Sequence, residues 1–492
     1  MTQQIRLKHG DEVQLDITSS AFEGGAVARL HGLVVFVEGA IPGDRVTARI
    51  LKSKRNHAEA KVIDLITPSP DRVEPRCSHF GVCGGCKWQQ VKYEAQLRFK
   101  QQHVVDSFQR IGGFEHPQVL PIIGADPIFF YRNKMEFSFS DQEWHLTPPP
   151  KPSIGPQPES SDVGTKGSSA ETAQSSVFLG LHVPQRYDKI LDVTACYLQS
   201  ELSNRVVEFT RDFCRQNRKE VYSSDLDTGY LRFLVIRQSK RNNELMVNLV
   251  TRTDDSEFMT RYARTLMETV TGITTIVNTI NSKKAQIAFG DQERLYVGDG
   301  TIRERLGEQT YVISPGSFFQ TNTEQAERLF DAVKEFGEFK NSDVVYDLYS
   351  GTGSIAMFIS SAVKQVIGVE SVESAVRDAE RNTKANNISN CHFVLGDLKD
   401  RLTKDMSWMQ DFPRPDAIIV DPPRSGIHPK AIERLVEMGC PRIVYVSCNP
   451  ATQARDVKAL CAGEKYILEK LQPVDMFPHT YHIENVALLT LS

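Results

Sequence analysis

Three short stretches in the last fifth of the chain carry residue types suited to covalent group transfer. They are Cys448 in Val444-Tyr-Val-Ser-Cys448-Asn-Pro450, Glu484 in His482-Ile-Glu484-Asn-Val486, and Asp421 in Ile418-Ile-Val-Asp421-Pro-Pro-Arg424. A cysteine that ends an apolar strand just before a helix has its thiolate favoured by the helix N-terminal dipole and its sulfur aimed at the ligand crevice of an α/β sheet. That position separates Cys448 from Cys214, Cys391, Cys440 and Cys461, which read as inert core thiols. Glu484 interrupts an apolar strand, and such a carboxylate is either a solvated end residue or a base facing the crevice. Two prolines after Asp421 stiffen the backbone and remove competing donors.

Upstream, Asp347-Leu-Tyr-Ser-Gly351-Thr-Gly353-Ser-Ile-Ala356 follows an apolar strand, and Glu370 lies 23 residues after Asp347 at the end of the next one. Glycines there let the backbone approach a ligand, and the carboxylate is placed to accept from ribose hydroxyls. The same spacing fits a nicotinamide or flavin fingerprint, so this loop by itself does not choose the adenosine ligand. Methyltransferases that act on exocyclic amines carry an aromatic residue after the two prolines; Arg424 at that place argues against an amino-group target. A second cysteine set, Cys77, Cys83 and Cys86 followed 110 residues later by Cys196, reads as a metal site, and four thiolates suit iron–sulfur or zinc equally.

The elements that must position these residues are legible as patterns. After residue 343, apolar strands alternate with helical-length segments, which predicts a doubly wound, largely parallel sheet with Glu484 opening the last strand, beside the fifth. Residues 8–66 contain five short strand patterns separated by Gly- and Pro-rich turns, predicting a small oligonucleotide-binding-type barrel. Its end, 45–61, holds six basic residues (Arg45, Arg49, Lys52, Lys54, Arg55, Lys61) against Glu59, a face able to follow a phosphate backbone or merely a solvated edge. An amphipathic helix is expected over 93–111. Within 147–176, Pro, Gly and Ser fill 16 of 30 positions, which predicts a flexible insertion.

With 492 residues, several domains are expected. The net charge of −4 (58 Lys and Arg against 62 Asp and Glu) gives no whole-molecule attraction to nucleic acid, so any basic surface must be local. Nine unevenly placed cysteines exclude a disulfide-stapled secreted fold, and the absence of an apolar leader or a long apolar run predicts a cytoplasmic protein without membrane contact.

SPGSFFQTN (314–322), DLYSGTG (347–353), DPPRSG (421–426), VSCNPATQARD (446–456) and HIENV (482–486) together resemble the RNA uridine C5-methyltransferase family of the TrmA/RumA type. The resemblance covers the chain apart from the insertion, and the cysteine set resembles the [4Fe–4S] ligands of its 23S ribosomal RNA branch. It implies a TRAM barrel over 1–67, a central α+β iron–sulfur and RNA-recognition domain over 68–310, and a Rossmann-like class I methyltransferase domain over 311–492. It further implies S-adenosylmethionine held by Gln320, Tyr349, Glu370 and Asp421, with Ser354 and Asp397 as further contacts, Cys448 as a low-pKa nucleophile toward uracil C6, and Glu484 as the base for the C5 proton. The RNA is expected to be 23S ribosomal RNA, with transfer RNA as the alternative and a flipped-out uridine as the target. Arg132 is a candidate phosphate-backbone contact, and a monomer is expected. A noncatalytic iron–sulfur RNA-binding protein and an oxidoreductase are the rival classes.

Overall fold

The computed structural model describes residues 7–142, 144, 177–184, 186–403 and 406–492; the expected insertion at 147–176 lies outside the described residues. Strands β1 (Glu12–Ser20), β2 (Ala26–Leu30), β3 (Leu33–Glu38), β4 (Arg45–Ser53) and β5 (His57–Thr67) close a barrel in the order β1-β2-β3-β5-β4. Alternation sends Val35, Val37, Val46, Ala48, Ile50, Ala58 and Ala60 inward, and the small residues fit the narrow lumen. Buried Asp44 accepts from the Ile41 and Ser69 amides at 2.7 and 2.9 Å and pairs with Arg72, fixing where the chain leaves the barrel.

The middle of the chain forms a mixed sheet of β6 (Lys134–Ser140), β7 (Phe178–Val183), β8 (Arg186–Asp192), β9 (Leu231–Gln238), β10 (Leu245–Thr251), β11 (Thr275–Ile280) and β12 (Gln292–Val297). Its order is β12-β11-β10-β9-β6-β7-β8, and the helices Glu201–Gln216 and Ser256–Thr269 share its larger core. A hairpin of β13 (Ile302–Leu306) and β14 (Gln309–Ile313) leads onward.

The last sheet comprises β15 (Val344–Leu348), β16 (Gln365–Glu370), β17 (Cys391–Leu395), β18 (Ala417–Val420), β19 (Arg442–Ser447), β20 (Tyr466–Val474) and β21 (Glu484–Leu491). They lie in the order β17-β16-β15-β18-β19-β21-β20, the first five parallel and β21 antiparallel to both neighbours. Cores on both faces explain the uninterrupted apolar runs of the central strands. The order reverses between β15 and β18, and ligands bind at such a switch point, beyond the carboxyl ends.

The helix expected over 93–111 is α-helical over Tyr93–Ser107 and closes in a π turn over Phe108–Gly112. Its buried side is not apolar as expected: Gln96, Lys100 and His103 are buried along with Ala95 and Val104. Lys100 meets Asp475 at 2.5 Å with both side chains fully enclosed, and Tyr93 donates to the same carboxylate at 2.8 Å. No helix among the described residues is long and apolar enough to cross a membrane.

Candidate active site

The glycine loop after β15 is built around two carboxylates. Glu370, at the end of β16, accepts from the Gly351 amide at 2.9 Å and from the Val372 amide at 2.8 Å, so it shapes the loop as well as facing the crevice. Asp347 accepts from Ser350 Oγ at 2.8 Å, while its other oxygen is buried without a partner. Gly351 and Gly353 are left-handed, and so is Tyr349 at φ +66°, a conformation that costs a side-chain residue energy unless its surroundings hold it. Open space surrounds the position that a Cβ would take on Gly351, leaving that stretch of backbone accessible to a ligand.

The segment 314–322 closes over this loop. Arg237, buried on β9, donates to the carbonyls of Pro315 and Ser317; Asn133 donates to the Gln320 carbonyl at 2.8 Å. Thr352 Oγ1 donates to the Phe318 carbonyl at 3.2 Å, joining the loop that carries Gln320 to the loop that carries Tyr349. Ser354 lies within 3.2 Å of Thr352 Oγ1, and exposed Asp397 is near enough to Tyr349 to raise its hydroxyl pKa, after burial, to about 12.

Cys448, Glu484 and Asp421 meet at the carboxyl edge of β18 and β19. Antiparallel pairing of Ser447 with Asn485 places Cys448 just beyond one strand and Glu484 at the start of its neighbour. Gln453 Nε2 donates to the Tyr445 and Asn485 carbonyls at 2.8 and 3.1 Å, and Asn485 Nδ2 returns a bond to Gln453 at 2.7 Å, locking β21 to the helix Pro450–Leu460 behind Cys448. Arg424 is held by its own carbonyl, which accepts from Asn449 Nδ2 and Thr452 Oγ1 at 3.2 and 3.1 Å; its guanidinium donates to His482 Nδ1 at 3.2 Å.

This electrostatic setting corrects the expectation of a low-pKa thiol. Burial, then the Glu484 and Asp421 carboxylates, push Cys448 up to about 11 against the opposing charge of Arg424. The helix dipole does not prevail, because Asn449 and Pro450 occupy the cap and first helical position and Cys448 stands before them. Burial and Asp421 hold the Glu484 carboxyl well above the ordinary range, again opposed by Arg424. Asp421 is raised to about 7 by burial and then Asp347, and Asp347 to about 6 chiefly by burial. Burial holds His482 down to about 4, with Arg424 and Lys100 adding to the effect, so it is a neutral partner to Arg424 near pH 7. The cleft thus concentrates acidic groups with an orphaned carboxylate oxygen, a donor set that fits a cationic sulfonium ligand.

Cys77, Cys83, Cys86 and Cys196 face one cavity of ≈560 Å³, whose wall also includes Arg132, Tyr481 and His482. Among the described residues no group of three or more His, Cys, Asp or Glu side chains is arranged to hold a metal ion, so the expected iron–sulfur site is not shown. Cys83 Sγ accepts from the Gly85 amide at 3.4 Å and Cys86 Sγ from Gln89 Nε2 at 3.3 Å. Arg132 borders this cavity with its guanidinium 5.5 Å from the Phe477 ring and its Nε buried without a partner. On the barrel, Arg45, Arg49 and Lys61 pair with Asp16, Glu12 and Glu38, so the exposed basic tip narrows to Lys52, Lys54 and Arg55.

The sequence reading passed over Lys100, Asp475, His482 and the two arginines of β9. Each is defined by a partner far along the chain; the one local signal was a charge inside an otherwise apolar strand, as for Arg232 and Arg237.

The strand order, the glycine loop and the carboxylate at the end of β16 define the S-adenosylmethionine-dependent class of methyltransferases. Residues 229–491 match the model of the tRNA (uracil-5-)-methyltransferase family, and residues 6–63 match the TRAM domain. A protein of Chlorobaculum tepidum named as an uncharacterized RNA methyltransferase is 43% identical over 489 residues, 99% of this chain and 97% of that one. One of the same description from Porphyromonas gingivalis is 41% identical, covering 96% and 99%. The crystal structure of Pyrococcus abyssi tRNA (uracil-54, C5)-methyltransferase in complex with S-adenosyl-L-homocysteine aligns with a TM-score of 0.71 and 28% identity over 97% of this chain and 100% of that one. The chain belongs to the tRNA (uracil-5-)-methyltransferase family: it is an S-adenosylmethionine-dependent RNA (uracil-C5)-methyltransferase with an amino-terminal TRAM domain. That membership sets aside the oxidoreductase and noncatalytic alternatives.

Proposed function

We propose that this enzyme forms 5-methyluridine in 23S ribosomal RNA by covalent catalysis, with Cys448 as nucleophile and Glu484 as base. The observation that carries the reading is the convergence of Cys448 and Glu484 between the Asp421 carboxylate, which raises both, and the Arg424 guanidinium, which lowers both. Uracil C5 is a poor nucleophile until C6 is attacked. The Cys448 thiolate forms a bond to C6, the C5–C6 double bond opens to an enolate, and C5 takes the methyl group. Glu484 then removes the C5 proton, the double bond returns and the C6–sulfur bond breaks. Bound S-adenosylmethionine would supply the methyl group from its positively charged sulfur, the S–CH3 bond breaking to leave neutral S-adenosylhomocysteine. Asp347, Glu370, Asp421, Tyr349 and Gln320 would hold it, with Asp421 close enough to Cys448 and Glu484 to raise both. The raised proton affinities of Cys448 and Glu484 give a more nucleophilic thiolate and a stronger base once each is ionised. RNA carrying 5-fluorouridine, which has no C5 proton to lose, should trap an adduct with the enzyme that Cys448→Ala abolishes; no adduct with the unaltered enzyme overturns the mechanism.

The 23S assignment rests on resemblance to the ribosomal branch, in which barrel and cysteine set occur together. Transfer RNA is the second reading, favoured by the full-length likeness to the Pyrococcus abyssi tRNA enzyme. Incubating both RNAs with labelled donor decides, and label in tRNA alone removes the ribosomal assignment. The four cysteines are read as ligands of a [4Fe–4S] cluster: they share one cavity, and sulfur-directed N–H donors accompany Cys83 and Cys86. Four thiolates are a usual ligand set of a four-iron cube. Protein purified without oxygen should contain iron and sulfide in equal amounts, lost in Cys196→Ser. We also read the enzyme as a monomer that works in the cytoplasm.

A further inference from the structure

Two buried arginines on one strand do similar work. Arg237 grips the loop 314–322 beside the donor crevice; Arg232, only 3% exposed, grips the loop between β11 and β12. Arg232 donates to the carbonyls of Asn281, Lys283 and Ala285 at 2.7, 2.6 and 2.6 Å, and its guanidinium lies 4.3 Å from the Tyr222 ring. Asn281 Nδ2 donates to the Ile287 carbonyl at 2.8 Å, and Ala288 packs on Phe233, Val235 and Val250. The chain returns at Gly290, where a Cβ would lie 2.2 Å from the Ile280 carbonyl oxygen, so only glycine permits this path.

A loop fixed this firmly has the means to bury its apolar side chains, yet Phe289 is 53% exposed and Ile287 45%. Single exposed apolar residues are ordinary; neighbouring ones on a braced loop mark a contact surface. Lys283 and Lys284 flank them, both exposed; Lys283 is engaged by Asp291 at 2.8 Å, which leaves Lys284 as the cation for a phosphate. The surface is continuous with the active-site lip: the Phe289 ring edge is 3.8 Å from the position of a Cβ on Gly316, inside the loop that carries Gln320. An aromatic ring, an aliphatic neighbour and a lysine on a preformed support suit unpaired nucleotides, whose bases stack and whose phosphates pair with cations.

We propose that the loop 282–291, with Phe289 as its stacking residue and Lys284 as its phosphate contact, binds the unpaired RNA segment adjoining the target uridine. The inference rests on the RNA (uracil-C5)-methyltransferase reading, and its failure is separable from failure of that reading. Binding of a fluorescein-labelled oligouridylate to full-length enzyme is measured by anisotropy over a salt series, alongside S-adenosylhomocysteine affinity and methylation of RNA. Phe289→Ala should weaken oligouridylate binding about 10-fold with an unchanged salt slope, and Phe289→Trp should restore it. Lys284→Gln should lower the salt slope by about one. Ultraviolet crosslinking of the oligouridylate should label a peptide containing Phe289. Unaltered oligouridylate affinity in Phe289→Ala overturns the inference, as does a loss confined to S-adenosylhomocysteine, which would make Phe289 a wall of the donor crevice. Self-association that disappears in Phe289→Ala overturns it too, by assigning the surface to a second copy of the chain. An unaltered enzyme that methylates no uridine overturns the underlying reading instead.

Discussion

Arg424 opposes two buried acidic groups, Cys448 and Glu484, and its loss should be felt at both. It lowers the proton affinity of Cys448 and Glu484 while Asp421 and burial raise both. Arg424→Met should therefore slow alkylation of Cys448 by iodoacetamide near pH 8 about 10-fold, since less thiolate is present, with Arg424→Lys in between. Equal alkylation rates in all three proteins would show that the guanidinium does not act on the thiol. The donor side responds to pH in the same sense. Asp421, raised to about 7, is protonated at low pH and becomes a carboxylate as pH rises through that value. A carboxylate favours the sulfonium of S-adenosylmethionine over the neutral sulfur of S-adenosylhomocysteine. Preference for the methyl donor over the product should thus rise by roughly an order of magnitude from about pH 5 to about pH 8. Titration calorimetry with both ligands measures it, and Asp421→Asn should flatten the dependence.

The elements that carry the site were largely legible as patterns, because barrel strands and parallel strands announce themselves by local alternation and apolar runs. Cys448, Glu484, Asp421 and Glu370 could be singled out for the same reason: each breaks or ends such a run. What stayed hidden was long-range pairing. Lys100 looked like the polar side of an amphipathic helix, since its partner Asp475 lies 375 residues away. Arg237 looked like an anomaly in a strand, since the carbonyls it holds are on a loop 78 residues on. The Lys100–Asp475 pair also shows how the helix Tyr93–Ser107 fixes the chain entering the catalytic strand: Lys100 Nζ donates to the Phe477 carbonyl at 3.1 Å, and the Phe477 amide donates to Asp475 at 3.1 Å. Lys100→Met leaves a desolvated carboxylate behind and should cost about 3–5 kcal/mol in urea unfolding. Adding Asp475→Asn, whose carbonyl oxygen can still accept from the Phe477 amide while its NH2 turns to the Tyr93 hydroxyl oxygen, should recover most of that loss. A double variant no more stable than the single one would show that the unpaired charge is not the cause.

At the scale of the whole molecule, a chain of net charge −4 must attract a polyanion through local fields. The barrel supplies one, but a smaller one than its six basic residues suggest, because Arg45, Arg49 and Lys61 are engaged by carboxylates of β1 and β3. A paired arginine releases little counterion on meeting a phosphate, since its charge is already balanced. Lys52, Lys54 and Arg55, at the exposed turn between β4 and β5, should carry most of the barrel's contribution. Replacing these three with glutamine should lower the slope of log affinity against log salt by about two to three, weakening binding at low salt far more than at high salt. Replacing Arg45, Arg49 and Lys61 instead should change the slope by less than about one, because each substitution also frees an acidic partner that repels the backbone. Filter binding of RNA over a salt series separates the two sets. Equal slopes for the two triple variants would mean that the strand pairs open on contact with RNA and that the whole of 45–61 is the binding face.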